Sequence, residues 1–249
     1  MQNNIKLAFI LTILSGMSTM LGTFLIFKKN KKNNILAPTI SFAAGVMISV
    51  SICDLIPEAI NYFSHNYQTF ALAIICLIFV ILGIIISMLI DNILQKTSIK
   101  SNKLYKIGIM SMISLILHNI PEGIITFLTT NTNIKIGLSL SLAIAIHNIP
   151  EGISISVPIY YSTKSKIKAI GYTLISAISE PLGAVLAYFF ISKYLNYQLM
   201  GILLSVTAGI MLQISFYELL PIAFKYPHKF KTIISFLLGI SIMFLKFFI

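Results

Sequence analysis

The stretch His118-Asn119-Ile120-Pro121-Glu122-Gly123 returns letter for letter as His147-Asn148-Ile149-Pro150-Glu151-Gly152, and each copy lies in the middle of a strongly apolar run. On a helix, positions i and i+4 sit one above the other on a single face. His118 therefore stands over Glu122, and His147 over Glu151, so each copy presents an imidazole and a carboxylate together. Asn119 and Asn148 lie about 100° round from the histidines at about 3.6 residues per turn, and add a neutral oxygen beside each pair. Two such faces, opposed, can enclose a divalent cation. The prolines belong to the same device. Pro121 has no N–H to give the carbonyl of Leu117, and Pro150 none for Ile146, which predicts a kink and a bare carbonyl just before each histidine. At membrane depth such a gap is tolerated only where protein, water or an ion fills it.

Working outward, the flanks decide the fold class. Hydrophobic residues make up 57% of the chain, charged residues 10%, and the mean hydropathy is +0.93, well above a soluble domain. A bilayer is crossed by about 20 apolar residues. Eight such spans are expected, near residues 5–27, 36–60, 69–92, 104–130, 134–160, 167–192, 198–222 and 230–249. The predicted fold is thus all-α and polytopic, a single integral membrane domain over 1–249 with short loops. The first run follows Lys6 as a signal peptide would. Its apolar stretch is too long, lacks a small-residue cleavage site and stops at Lys28-Lys29-Asn30-Lys31-Lys32, so it reads as a membrane helix. Gly16 and Gly22 within it read as close helix packing without chemistry. Cys53 and Cys76 fall in separate spans and imply no disulfide framework.

The formal net charge of +11 would suggest nucleic acid in a soluble protein, but its distribution says otherwise. All eighteen basic residues are lysines. On one set of alternate loops lie Lys28, Lys29, Lys31, Lys32, Lys96, Lys100, Lys103, Lys106, Lys164, Lys166, Lys168, Lys225, Lys229 and Lys231. On the other are only Lys6, Lys135, Lys193 and Lys246. The positive-inside rule then puts both termini outside the cytoplasm of a multi-pass protein of the cell (inner) membrane. The basic excess is a topology signal, with lipid headgroup contact as a secondary role and no nucleic-acid partner.

The acids follow the opposite rule. All seven, Asp54, Glu58, Asp91, Glu122, Glu151, Glu180 and Glu218, fall inside spans or at their edges. An ionised group at a helix centre costs about 2.5–3.5 kcal/mol on insertion scales, so three central glutamates cost roughly 8–10 kcal/mol. No lysine shares their depth. Either they are protonated or a cation is their partner.

A second repeat is present. Span 2 carries Ala44-Gly45, Met47, Ser51, Asp54, Leu55, Pro57 and Ala59; span 7 carries Ala208-Gly209, Met211, Ser215, Glu218, Leu219, Pro221 and Ala223 at the same spacing. Both this pair and spans 4 and 5 are an odd number of spans apart, so the members of each pair cross the membrane in opposite directions. That is the inverted-repeat pattern of secondary transporters, whose sites lie near the midplane. Spans 1–3 and 6–8 are the two arms around spans 4 and 5. Asp54, with Glu58 and His65 beyond it, then lies toward the outside, and Glu218 toward the cytoplasm. Span 6 carries Ser179-Glu180-Pro181-Leu182-Gly183-Ala184, with Glu180 at roughly the depth of the two histidines by a rise of about 1.5 Å per residue. Asp91 reads as a helix-end acid near lysines.

These residues resemble the ZIP family of divalent metal transporters, in particular its bacterial members. The resemblance covers essentially the whole chain. It implies a binuclear site: His118, Glu122, His147 and Glu151 around one ion, and Asn119, Glu122, Asn148, Glu151 and Glu180 around a second, with both central glutamates bridging. It further implies Zn2+ as the transported substrate, with iron, manganese, cobalt or cadmium as others, uptake into the cytoplasm by an elevator-like motion, and a homodimer. A histidine-rich loop between spans 3 and 4, common in relatives, is lacking here, and with it any metal sensing by that loop.

Other readings differ in what they require. A kinked helix whose polar groups satisfy one another explains one motif but not two antiparallel copies plus Glu180. An intramembrane metallohydrolase would activate water on zinc, yet the His-Glu-x-x-His pattern is missing. A divalent cation efflux exchanger shares the ligand logic but usually has six spans and a soluble C-terminal domain. Mixed nitrogen and oxygen ligands suit borderline first-row ions and not copper(I). Met47 and Met211 read as core packing, Cys53 as inert packing, and His65 and His228 as solvated loop residues.

Overall fold

A computed structural model describes residues 4–27, 32–65, 67, 69–96, 102–189, 197–227 and 229–242. Among them every regular element is helical. Among the described residues seven helices are long and apolar enough to cross a membrane: α1 (Ile5–Phe27), α2 (Ile35–Ser64), α3 (Ala71–Ile93), α4 (Lys103–Thr132), α5 (Ile134–Thr163), α6 (Lys166–Phe189) and α7 (Tyr197–Ala223). The chain is thus a multi-pass membrane protein. An eighth helix, α8, covers Lys229–Ile242, and the rest of the expected eighth span lies outside the described residues. So do Lys28, Lys29, Lys31, Lys100, Lys193, Lys246 and His228.

Local chemistry sets the central elements. Asn102 caps α4 by accepting from the Tyr105 N–H at 3.3 Å. Asn133 alone separates α4 from α5: its N–H closes α4 on the Thr129 carbonyl, and its side chain accepts from the N–H groups of Lys135 and Ile136. A polar residue doing both jobs, as N-caps do, forces α5 to fold straight back along α4. Lys164, in the left-handed region at φ 58°, ends α5. Both α4 and α5 run on as α-helix through Pro121 and Pro150.

The helices gather in two groups. α1 lies against α4, α5 and α6, whereas α2 with α8 and α3 with α7 form the other group, joined to the first mainly where α2 meets α5. Glycines set the crossings. A Cβ on Gly123 would stand 1.9 Å from the Glu180 carbonyl oxygen, and one on Gly152 1.9 Å from that of Thr19, so only glycine lets those backbones touch. Gly123 and Gly152 differ by 29 in number, Thr19 and Glu180 by 161. The reciprocal contacts, Gly183 on Ile120 and Gly22 on Ile149, keep both offsets. In the other group Gly45 meets Phe236 and Gly239 meets Phe42, as Gly209 meets Val80 and Gly83 meets Val206, at offsets of 164 and 156.

The α2 and α7 segments share one further feature. Each breaks into a π-helical turn, Ser51–Leu55 and Ile214–Leu219, closed by Ile56 N–H on the Ser51 carbonyl and Leu220 N–H on the Ser215 carbonyl. Pro57 and Pro221, lacking an N–H, follow directly. The turns hold Asp54 and Glu218. Such turns often mark functional sites.

Met47 and Met211 are fully buried in the core, as expected. Cys53 is not packed inside: it is exposed on the outer face of the π-turn, because the extra residue there rotates it away from the bundle. His65 is exposed and stacks on Tyr197 with ring centroids 4.0 Å apart. The outward face of α3, with Leu77, Ile78, Ile81, Ile85 and Leu89, is exposed and apolar, the surface a hydrocarbon solvent accepts.

Candidate metal centre

The fold brings both repeats to one buried point. His118, Glu122, His147 and Glu151 are all buried. His118 Nε2 lies 3.2 Å from Glu122 Oε1 on its own helix and 3.7 Å from Glu151 Oε1 across the hairpin. The imidazole centroids are 6.2 Å apart. One ligand atom each from His118, His147 and Glu151 falls within 4.8 Å of the others. One expected pairing changes. His147 does not approach its own helix's Glu151 so closely; its Nε2 stands 3.0 Å from Glu122 Oε1 on α4, because the hairpin sets a facing carboxylate nearer than the one a turn away.

The asparagines are held by their amide nitrogens. Asn119 Nδ2 donates to the Ser176 carbonyl at 3.3 Å, and Asn148 Nδ2 to the Ser15 carbonyl at 2.9 Å. Asn148 Nδ2 also reaches Glu180 Oε2 at 2.9 Å, while the Ser15 hydroxyl donates to Glu180 Oε1. Glu180, fully buried on α6, is thereby drawn beside Asn148. Both amide oxygens are left unbonded. Asn119 Oδ1, Asn148 Oδ1, Glu122 Oε2, both oxygens of Glu151 and His118 Nδ1 are buried without a hydrogen-bond partner among the described residues.

That density of orphan acceptors is physically informative. Buried polar atoms are nearly always hydrogen-bonded, and each exception calls for an explanation. Each lone pair left bare in an apolar interior costs about 1–3 kcal/mol. Imidazole, carboxylate and amide oxygen in one place are the donor types that suit a borderline divalent ion.

Sequence reading missed Ser15. α1 was expected to be purely structural, but its Ser15 holds Glu180 and Asn148 together. The signal was available: Ser15-Gly16-Met17-Ser18-Thr19-Met20-Leu21-Gly22 aligns with Ser176-Ala177-Ile178-Ser179-Glu180-Pro181-Leu182-Gly183, sharing both serines, the leucine and the last glycine.

The other acids separate to the two ends. Asp54 and Glu58 line a cavity of about 250 Å³ that also contains Tyr62 and reaches Glu122. Glu218 lines a different cavity, of about 420 Å³, with Lys103, Lys106 and Lys225. At that end Lys106 Nζ sits 3.1 Å from Glu218 Oε1 and also pairs with Asp91. The ammonium satisfies both carboxylates, since α3, α4 and α7 converge at that end.

Membrane-crossing helices surrounding a buried cluster of imidazole, carboxylate and amide groups, reached at Glu122 by a cavity that Asp54 and Glu58 line, define a multi-pass integral membrane protein. Residues 95–246 match the family described as ZIP Zinc transporter. The chain is 35% identical over 256 residues to the zinc transporter ZupT of Streptococcus mutans, covering 98% of this chain and 97% of that protein. It is 36% identical over 270 residues to the zinc transporter ZupT of Clostridium perfringens, covering 97% and 95%. With that of Oceanobacillus iheyensis it shares 36% over 262 residues, 97% of each. The chain belongs to the ZIP family, a family of transporters and not of enzymes.

Proposed function

We propose that the chain carries divalent metal ions, zinc foremost, across the cell membrane into the cytoplasm through the centre made by His118, Glu122, His147 and Glu151. The observation that carries this reading is the set of buried, unpartnered acceptors gathered from two antiparallel motifs. Membership of a zinc transporter family supports zinc as cargo; the donor chemistry also admits iron, manganese, cobalt and cadmium.

A second ion would be held by Asn119, Asn148 and Glu180 together with Glu122 and Glu151. The free amide oxygens and the approach of Glu180 to Asn148 support it. Ions are gathered at the Asp54 and Glu58 cavity, where acids in a low-dielectric cleft raise the local cation concentration. They pass inward to Glu122, exchanging water for imidazole and carboxylate. All these ligands lie on α4, α5 and α6, which with α1 form one helix group. Sliding that group past α2, α3, α7 and α8 would move the centre intact, an elevator-like cycle. The recurring glycine contacts and matched π-turns support an inverted repeat of α1–α3 and α6–α8 as its frame.

The test is zinc uptake into proteoliposomes by the purified chain, with iron, manganese, cobalt and cadmium in parallel. Saturable zinc accumulation that requires the protein supports the reading; none above empty vesicles refutes it.

A further inference from the structure

We infer that the cavity between the lysine-rich ends of α4 and α7 holds the headgroup of an anionic phospholipid. This goes beyond the transport reading and does not depend on it. The cavity, of about 420 Å³, is lined by Lys103, Lys106 and Lys225 with Tyr217 and Glu218. Lys106 is divided between Asp91 and Glu218. Lys103 and Lys225 are both exposed, and neither meets a carboxylate among the described residues. Three ammonium groups against two carboxylates leave one positive charge, which a phosphodiester, carrying one negative charge, balances.

Free phosphate has the same chemistry at its charged end, but the surroundings favour a lipid. Tyr217 lies in the π-turn of α7, Pro221 in its last helical turn and Phe224 just beyond its end. All three are exposed, Tyr217 to 65%, and Phe216 beside them to 49%. Tyr217 and Pro221 themselves line the cavity beside the lysines, so exposed apolar side chains adjoin the basic groups, a path for acyl chains beside a headgroup. A tyrosine at such a boundary is also the amphipathic anchor that membrane interfaces select, in a chain without tryptophan. Basic pockets between membrane helices bind anionic headgroups in this manner.

Because Lys106 borders the cavity and also holds Asp91 and Glu218, a bound phosphate would compete with those acids for its ammonium. Headgroup occupancy would then loosen a contact that ties α4 to α3 and α7.

Native mass spectrometry of the metal-free protein in detergent, offered phosphatidylglycerol, phosphatidylcholine or inorganic phosphate, tests the site. Phosphatidylglycerol should be retained over phosphatidylcholine, and the preference should fall about fivefold for each lysine removed in Lys103→Gln and Lys225→Gln. Lys103→Arg with Lys225→Arg should restore it. Equal retention of the two lipids, an unchanged preference in the doubly neutralised variant, or saturation by millimolar inorganic phosphate with phosphatidylglycerol excluded would each overturn the proposal. The measurement uses no metal, so its failure leaves the transport reading untouched.

Discussion

Glu122 receives both histidines: His118 from its own helix at 3.2 Å and His147 from the facing helix at 3.0 Å, on the same oxygen, Oε1. Among the described residues Glu151 has only His118 within ion-pair reach, at 3.7 Å. The two motifs are identical in sequence but not equivalent in place. Glu122 also lines the Asp54 cavity, which Glu151 does not.

Ser15 is a positioning residue. It donates to Glu180 and its carbonyl holds Asn148. Partners that orient metal ligands are worth about 10- to 100-fold in affinity. Ser15→Ala should therefore weaken zinc binding about tenfold in calorimetry and lower the ion stoichiometry at limiting zinc, whereas Ser15→Thr should keep both near wild type. Equal binding by all three proteins would remove Ser15 from the centre.

The motif glycines have a steric role that can be separated from ligation. With a Cβ at 1.9 Å from a backbone oxygen, Gly123→Ala and Gly152→Ala force α4 from α6 and α5 from α1. Overpacking of this kind costs about 1–3 kcal/mol. Gly171, on α6, has nothing among the described residues within 4 Å of where a Cβ would stand, so Gly171→Ala should be neutral or stabilise by about 0.5–1 kcal/mol through helix propensity. Thermal melting in detergent checks the contrast, and the account fails if all three variants melt alike.

How much of this was legible beforehand depended on whether a property was local. The spans, their order and the pairing of His118 with Glu122 follow from composition and the helical repeat, which act within one segment. The approach of His147 to Glu122 depends on how α5 folds back at Asn133, and no spacing rule within one helix reveals it. Ser15 was hidden because hydroxyls are common in membrane helices and carry little signal alone. The Lys106 bridge to Asp91 and Glu218 joins three helices. Sequence placed Glu218 at an end, but tertiary convergence supplied its partner.

External acid should slow uptake. Imidazole binds metal through a neutral nitrogen and carboxylate through its ionised form, so protons compete with the ion. Acidifying the outside from pH 7.5 to 5.5 raises the proton concentration about a hundredfold, and a proton on either imidazole or on Glu122 or Glu151 occupies a lone pair that would ligate the ion. Apparent KM for zinc should rise as external pH falls. Initial rates across a pH series at several zinc concentrations measure this; uptake that climbs steadily with acidification contradicts ligand competition.

Asp54 and Glu218 occupy matched π-turns but different cavities. Cysteines introduced as Asp54→Cys and Glu218→Cys, in a chain with Cys53 and Cys76 replaced by alanine, should react with an impermeant thiol reagent from opposite faces of the membrane. Asp54→Cys should label from the outside. Labelling of both from one face would contradict the topology and the inverted repeat together.

The central claim is that the buried carboxylates of the two motifs are ligands of the moving ion. Radioactive zinc uptake by Glu122→Ala and Glu151→Ala, at wild-type surface expression, tests it most directly. Uptake should fall below about a tenth of wild type in each, consistent with loss of a metal ligand whose supporting partners alone are worth about 10-fold or more, with the larger loss in Glu122→Ala. Wild-type rates in both variants would contradict the account.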